Sequence, residues 1–144
     1  MADTTIMKRV VEPFVRETLT DEYGAPFEAR TLVLSSGGTH EFDAVSADGR
    51  VVAAIKSSSG KTAGGNIPSA KIRGVEADLY YLCLASAPHR LLVLTDPEFY
   101  NIILKALAGR IAAGISIKLI TLPPEMQARV RRVQKIASDE VRRK

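Results

Sequence analysis

Apolar positions along the chain switch between two periods, and the switches mark out its elements. Over residues 5–22, Val11, Phe14, Val15 and Leu19 recur every three to four places, which predicts a helix ended by Gly24. Pro13 either kinks this helix or sits in its first turn. Residues 31–35 are a short apolar run that predicts a strand, and Gly37-Gly38 predicts a turn. Between His40 and Lys56, two apolar runs flank Asp48-Gly49, the signal of a tight two-residue hairpin. Strict alternation in the first run puts Glu41, Asp43 and Val45 on one face and Phe42 and Ala44 on the other. The second run is apolar until it closes on Lys56.

Residues 57–68 read as a Ser/Gly loop. Residues 69–85 are either a helix followed by a strand or one long helix, with Ile72, Val75, Leu79, Leu82 and Cys83 on one face. The single helix is preferred, because residues 90–95 are a buried strand and a long helix between two strands makes a parallel crossover. Asp96-Pro97 caps and opens a helix expected to run to about Ala113, with Gly114 ending it. A last strand follows at 115–121, then a helix from Pro123-Pro124 with Met126, Val130, Val133 and Ile136 on its apolar stripe. The expected class is α/β, a sandwich whose mixed sheet begins antiparallel and turns parallel, in one domain over residues 1–144.

Charge adds one feature. From Glu125 onward there are seven Lys/Arg and three Asp/Glu, while the rest of the chain holds thirteen of each sign. The whole net charge of +4 therefore belongs to the C-terminal helix, about 124–144. Such a basic end is either a solvated helix face or a contact for a phosphate backbone. No apolar run reaches the ~18 residues of a membrane helix. The residue types at the N-terminus and a lone cysteine point to the cytoplasm and to no disulfide. Cys83 is expected as a buried, inert thiol.

Candidate chemistry gathers on the hairpin. A lysine closing a buried strand is costly without a partner, and the carboxylates of Glu41 and Asp43, or a phosphate, could supply one. Gly60-Lys61-Thr62 invites a phosphate-loop reading, but Ile55 stands where the motif needs its first glycine. His40 and His89 read as turn histidines, and Tyr80 and Tyr81 as core and rim.

The element order, with an acid on one hairpin strand and a lysine on the other, resembles the PD-(D/E)xK nuclease superfamily, the restriction-endonuclease-like and Holliday-resolvase-like enzymes. The resemblance covers roughly residues 8–121. Asp43 matches the first Asp, and Ile55 and Lys56 match the last two places of the triplet, while Ala54 stands in place of the second acid. The resemblance implies a magnesium- or manganese-dependent nuclease acting on nucleic acid, DNA foremost, with a possible homodimer. It assigns metal contacts to Asp43 and the Ile55 backbone carbonyl, and the activation of water or orientation of phosphate to Lys56. For the missing acid, Glu41 faces the same way as Asp43, Glu12 lies on the first helix, and Glu76 lies on the helix after the triplet; Glu28 is the weakest candidate. Lys61, Lys71 and Arg73 are candidate phosphate contacts. The alternative is a nuclease-fold module without catalysis that binds nucleic acid or a protein partner, which Ala54 favours.

Overall fold

The computed structural model describes residues 6–60 and 68–142. A π-helical turn, Met7–Val11, leads into α1, Glu12–Tyr23. Pro13 lies in the first turn of α1. It has no N–H to give, and its ring crowds the carbonyl four residues back, so the chain widens just before it. Gly24, at φ 71°, ends the helix in the left-handed conformation with its N–H on the Thr20 carbonyl at 2.9 Å. The strands and helices that follow are β1 (Phe27–Val33), β2 (Thr39–Ser46), β3 (Val51–Lys56), α2 (Ser69–Leu84), β4 (His89–Leu94), α3 (Pro97–Ala106), β5 (Ile115–Leu119) and α4 (Pro124–Arg142).

One five-stranded sheet runs β1-β2-β3-β4-β5. Its first three strands form an antiparallel meander, and β3, β4 and β5 are parallel. The chain is therefore α/β with a mixed sheet, as its periodicity predicts. Two successive crossovers moving the same way across a sheet put their helices on the same face. Accordingly α2 and α3 pack through Val75, Leu79, Leu82, Phe99 and Ile103 onto Val52, Ala54, Leu92 and Leu94. On the opposite face, α1 and α4 pack through Val15, Leu19 and Val130 onto Val51, Ala53, Ile55, Leu91 and Val93. β3 is thus buried on both sides, which is why it reads as an unbroken apolar run.

Four expectations are corrected. The first strand begins at Phe27 rather than 31, because β2 pairs with it back to Phe27↔Ser46; its polar Glu28 and Arg30 belong to an edge strand and hid it. The hairpin loop is longer than two residues. Val45↔Val52 is its last ladder pair, and Ser46 Oγ closes it by donating to Asp48 Oδ1 at 2.7 Å and accepting from Val51 N at 3.0 Å. α3 stops at Ala106, where Leu107 donates to Ile103 and is buried, and left-handed Gly109 turns the chain. The strict alternation in β2 breaks. Between Glu28↔Val45 and Arg30↔Phe42, β1 advances two residues and β2 three, a bulge at Asp43-Ala44. Phe42 and Val45 consequently share the α2 face, while Ala44 turns to the α1 face.

Among the described residues, no helix is long and apolar enough to cross a membrane.

Candidate functional site at the open end of the hairpin

The bulge opens the site. An unbroken β2–β3 ladder would set the Ile55 amide opposite the Phe42 carbonyl. Instead Asp43 Oδ2 accepts from Ile55 N at 2.8 Å, and the Asp43 carbonyl accepts from Arg16 Nη1 of α1 at 2.9 Å. A side-chain oxygen has replaced a backbone one, and the two strands part beyond Ala44↔Ala53. The N–H and C=O of one strand residue point to the same edge. The Ile55 carbonyl is therefore directed to the side of Asp43.

The parted strands leave a cleft of about 250 Å³ bounded by His40, Glu41 and Asp43 of β2, Ala54 and Lys56 of β3, and Asp78 of α2. Lys56 shares its face with Ala54, two residues back, and reaches toward α2. Its Nζ lies 3.2 Å from Asp78 Oδ2. It passes over Gly74, one helical turn before Asp78, where an added Cβ would sit 3.7 Å from the amine. A carboxylate at position 54 would point to this same side, so Asp78 comes down from the helix over the place where Ala54 has nothing to offer.

The acids repel one another and are poorly hydrated. Burial pushes the Asp43 carboxyl above the ordinary aspartate range, against the Ile55 amide, Lys56 and Arg16, which pull it down. Burial likewise raises Asp78, with Lys56 opposing and the Asp43 charge adding to the rise. Glu12 is raised by burial first and by Asp43 second, with Arg16, 3.6 Å away, opposing. Asp43 is the common neighbour: from the end of the sheet it acts on an acid in each helical layer. Such a set gains from a cation.

The residues singled out in the sequence are distributed as follows. Asp43, Lys56 and Glu41 meet at the cleft, with Glu41 exposed at its rim. Glu12 stands behind Asp43 on α1. Glu76 is exposed on α2, and the acid of that helix in the cleft is Asp78 instead. Glu28 is exposed on β1 and pairs with Arg30 at 3.3 Å. Lys71 donates to the Ser59 carbonyl at 2.9 Å, and its ammonium is pulled down by burial. Arg73 is exposed, and Lys61 lies outside the described residues. Cys83 is exposed, not buried, since it falls just off the apolar stripe of α2. His40 is no turn residue: it sits in β2 with its ring stacked on Tyr81 at 3.8 Å.

Asp78 and Arg16 were missed. Asp78 had a signal: it falls three residues after Val75 and four before Leu82, so it is an acid on the apolar side of its helix. Arg16 had none, because it serves a carbonyl exposed only by the bulge.

Among the described residues, no three His, Cys, Asp or Glu side chains form a group that could hold a metal ion. The hard-oxygen donors at hand are Asp43, Asp78 and the Ile55 carbonyl. That set fits magnesium, which takes one or two carboxylates and keeps several waters. Compared with known proteins, the chain matches no family model, no curated protein and no solved structure.

Proposed function

We propose that the protein is a restriction-endonuclease-like, metal-dependent nuclease that hydrolyses phosphodiester bonds of nucleic acid, DNA foremost. One observation carries the reading: Asp43 and Asp78 face the Lys56 amine across a single cleft, on the strand pair and the following helix. In this reading Asp78 takes the part of the acid absent at Ala54. Asp43, Asp78 and the Ile55 carbonyl would hold magnesium or manganese, which supplies charge compensation at the phosphoryl group and a more acidic bound water. Lys56 holds a scissile phosphate oxygen or the attacking oxygen as its bond to Asp78 loosens. Arg16 keeps the hairpin open by occupying the Asp43 carbonyl, and the Ile55 amide aims the Asp43 carboxylate. Glu41 at the rim and Glu12 behind Asp43 tune the charge. Lys71 on α2 and the side of α4 that carries Arg131 and Lys135, which approaches the end of β3 where Gln134 Nε2 donates to the Ser57 carbonyl at 2.8 Å, would serve as backbone contacts. The reading carries with it a cytoplasmic enzyme, working as a homodimer where both strands of a duplex are cut.

The test is cleavage of single- and double-stranded DNA and of RNA by the purified protein with magnesium or manganese. The expected result is activity that Asp43→Asn, Asp78→Asn and Lys56→Met each reduce by about a hundredfold or more. Absence of cleavage on all three substrates, or activity that survives these substitutions, overturns the reading.

A second reading is a non-catalytic module on the same fold. It is favoured by the fact that both acids already have protein partners, Asp43 on the Ile55 amide and Asp78 on Lys56. Calorimetry separates the two: magnesium or manganese binding abolished by Asp78→Asn speaks for the enzyme, and nucleic-acid binding indifferent to metal speaks for the module.

A further inference from the structure

We infer that a groove between the N-terminal helical segment and α4 is a docking site for an acidic amphipathic helix of a partner protein. α4 gives it Arg129, Arg132, Val133 and Ile136, and the N-terminal segment gives Ile6, Arg9 and Val10; together they enclose about 460 Å³. The α4 residues are spaced i, i+3, i+4, i+7, and the N-terminal ones i, i+3, i+4. α4 therefore turns one stripe into the groove, and the N-terminal turn lines the facing wall.

The chemistry of that stripe selects the occupant. Its floor is aliphatic, and Ile136 keeps 57 % of its surface exposed on a helix whose Val130 is packed away at 2 %. Among the described residues its rim carries three arginines and no acid. A furrow between two helices accepts the side-chain ridge of a third. Aliphatic knobs fill the floor, and Asp or Glu beside them meet the guanidinium forks. Single-stranded nucleic acid is the weaker fit, because bases bind by stacking on rings and no aromatic residue among the described ones lines this floor. Among the described residues the groove shares no lining residue with the carboxylate cleft, and it claims Arg129 and Arg132 of α4 but not Arg131 or Lys135, so the two readings can fail separately.

The experiment uses the full chain and a fluorescein-labelled synthetic peptide of about five helical turns, with leucine at the a and d positions of each heptad and glutamate on the flanks. A second peptide carries lysine for glutamate, and a single-stranded oligonucleotide is the third probe. Anisotropy is expected to show salt-sensitive binding of the glutamate peptide and none of the lysine peptide. Arg132→Glu and Ile136→Asp should each weaken it by about tenfold or more. Both side chains are exposed, and circular dichroism checks that each variant is folded, with Arg129→Gln in reserve. The inference is overturned if the glutamate peptide fails to bind, if the two peptides bind alike, or if folded variants keep wild-type affinity. It is also overturned if Arg132→Glu abolishes oligonucleotide binding and spares the peptide, or splits a wild-type dimer, which would give the groove to nucleic acid or to a second copy.

Discussion

Replacing Asp43 separates two jobs of one carboxylate. Asp43→Ala removes the acceptor of the Ile55 amide, a bond of 2.8 Å to a residue only 4 % exposed. A buried donor left unpaired costs about 1–3 kcal/mol, so a loss of about 2 kcal/mol is expected. At this chain length that is a fall of about 4–8 °C in Tm. Asp43→Asn keeps an acceptor oxygen and removes the charge. The folded carboxyl titrates above the ordinary aspartate value of about 3.9, so the native state holds the proton more tightly than the unfolded chain. Wild-type stability accordingly falls as pH rises from about 3.9 through the folded pKa, and is level above it. The asparagine variant does not share that fall. Its stability relative to wild type should rise across the same window and then level off. Urea denaturation followed by circular dichroism at several pH values between 4 and 8 measures all three proteins. A loss below about 0.5 kcal/mol for the alanine variant would mean that the ladder recloses on Phe42, and the account of the bulge fails. A stability difference between the asparagine variant and wild type that stays flat or falls as pH rises through that window would refute the electrostatic half.

The Lys56–Asp78 pair keeps 33 % and 22 % of its side-chain surface open to solvent, so screening still limits it and a double-mutant cycle of Lys56→Met and Asp78→Asn should return a coupling of about 1 kcal/mol; a value of several would make the pair structural. Thr95, 1 % exposed beside Lys56, has a hydroxyl with no hydrogen-bond partner among the described residues, so Thr95→Val should be neutral or gain up to about 1 kcal/mol in urea denaturation. Asp96 caps α3 through Phe99 N at 2.9 Å and also holds Gly60 N at 3.1 Å. Asp96→Ala should therefore cost about 2 kcal/mol, more than a simple cap, as read by thermal melting.

Where local chemistry and long-range packing agree, the fold was legible. Asp96-Pro97 opens α3, Gly24 ends α1, and the stripe from Ile72 to Leu82 makes α2 one helix. Those signals lie within a few residues of what they specify. The features that escaped are relations between distant segments. β1 reaches back to Phe27 because β2 is beside it. α3 ends early because Leu107 is drawn into the core, not because of Gly114. The bulge is a mismatch in count between two strands, which neither strand carries alone. The site follows the same division. Asp43 and Lys56 stand out on one hairpin, whereas Asp78 enters from twenty-two residues beyond Lys56, through the crossover. Glu76 is a candidate only through the resemblance, as an acid on the helix after the triplet; the helical phase relative to Val75 and Leu82 separates it from Asp78.

The exchange of a backbone acceptor for a side-chain one at Ile55 has a spectroscopic consequence. Most sheet amides bond to carbonyls whose charge never changes. The Ile55 amide bonds to a carboxylate, so its proton resonance moves when Asp43 is protonated, and under the proposed function it would move again if a cation drew on the other oxygen. One cross-peak in a nitrogen–proton correlation spectrum then reports the charge state of the cleft, and would report a cation there, with no label placed in it and no substrate turned over.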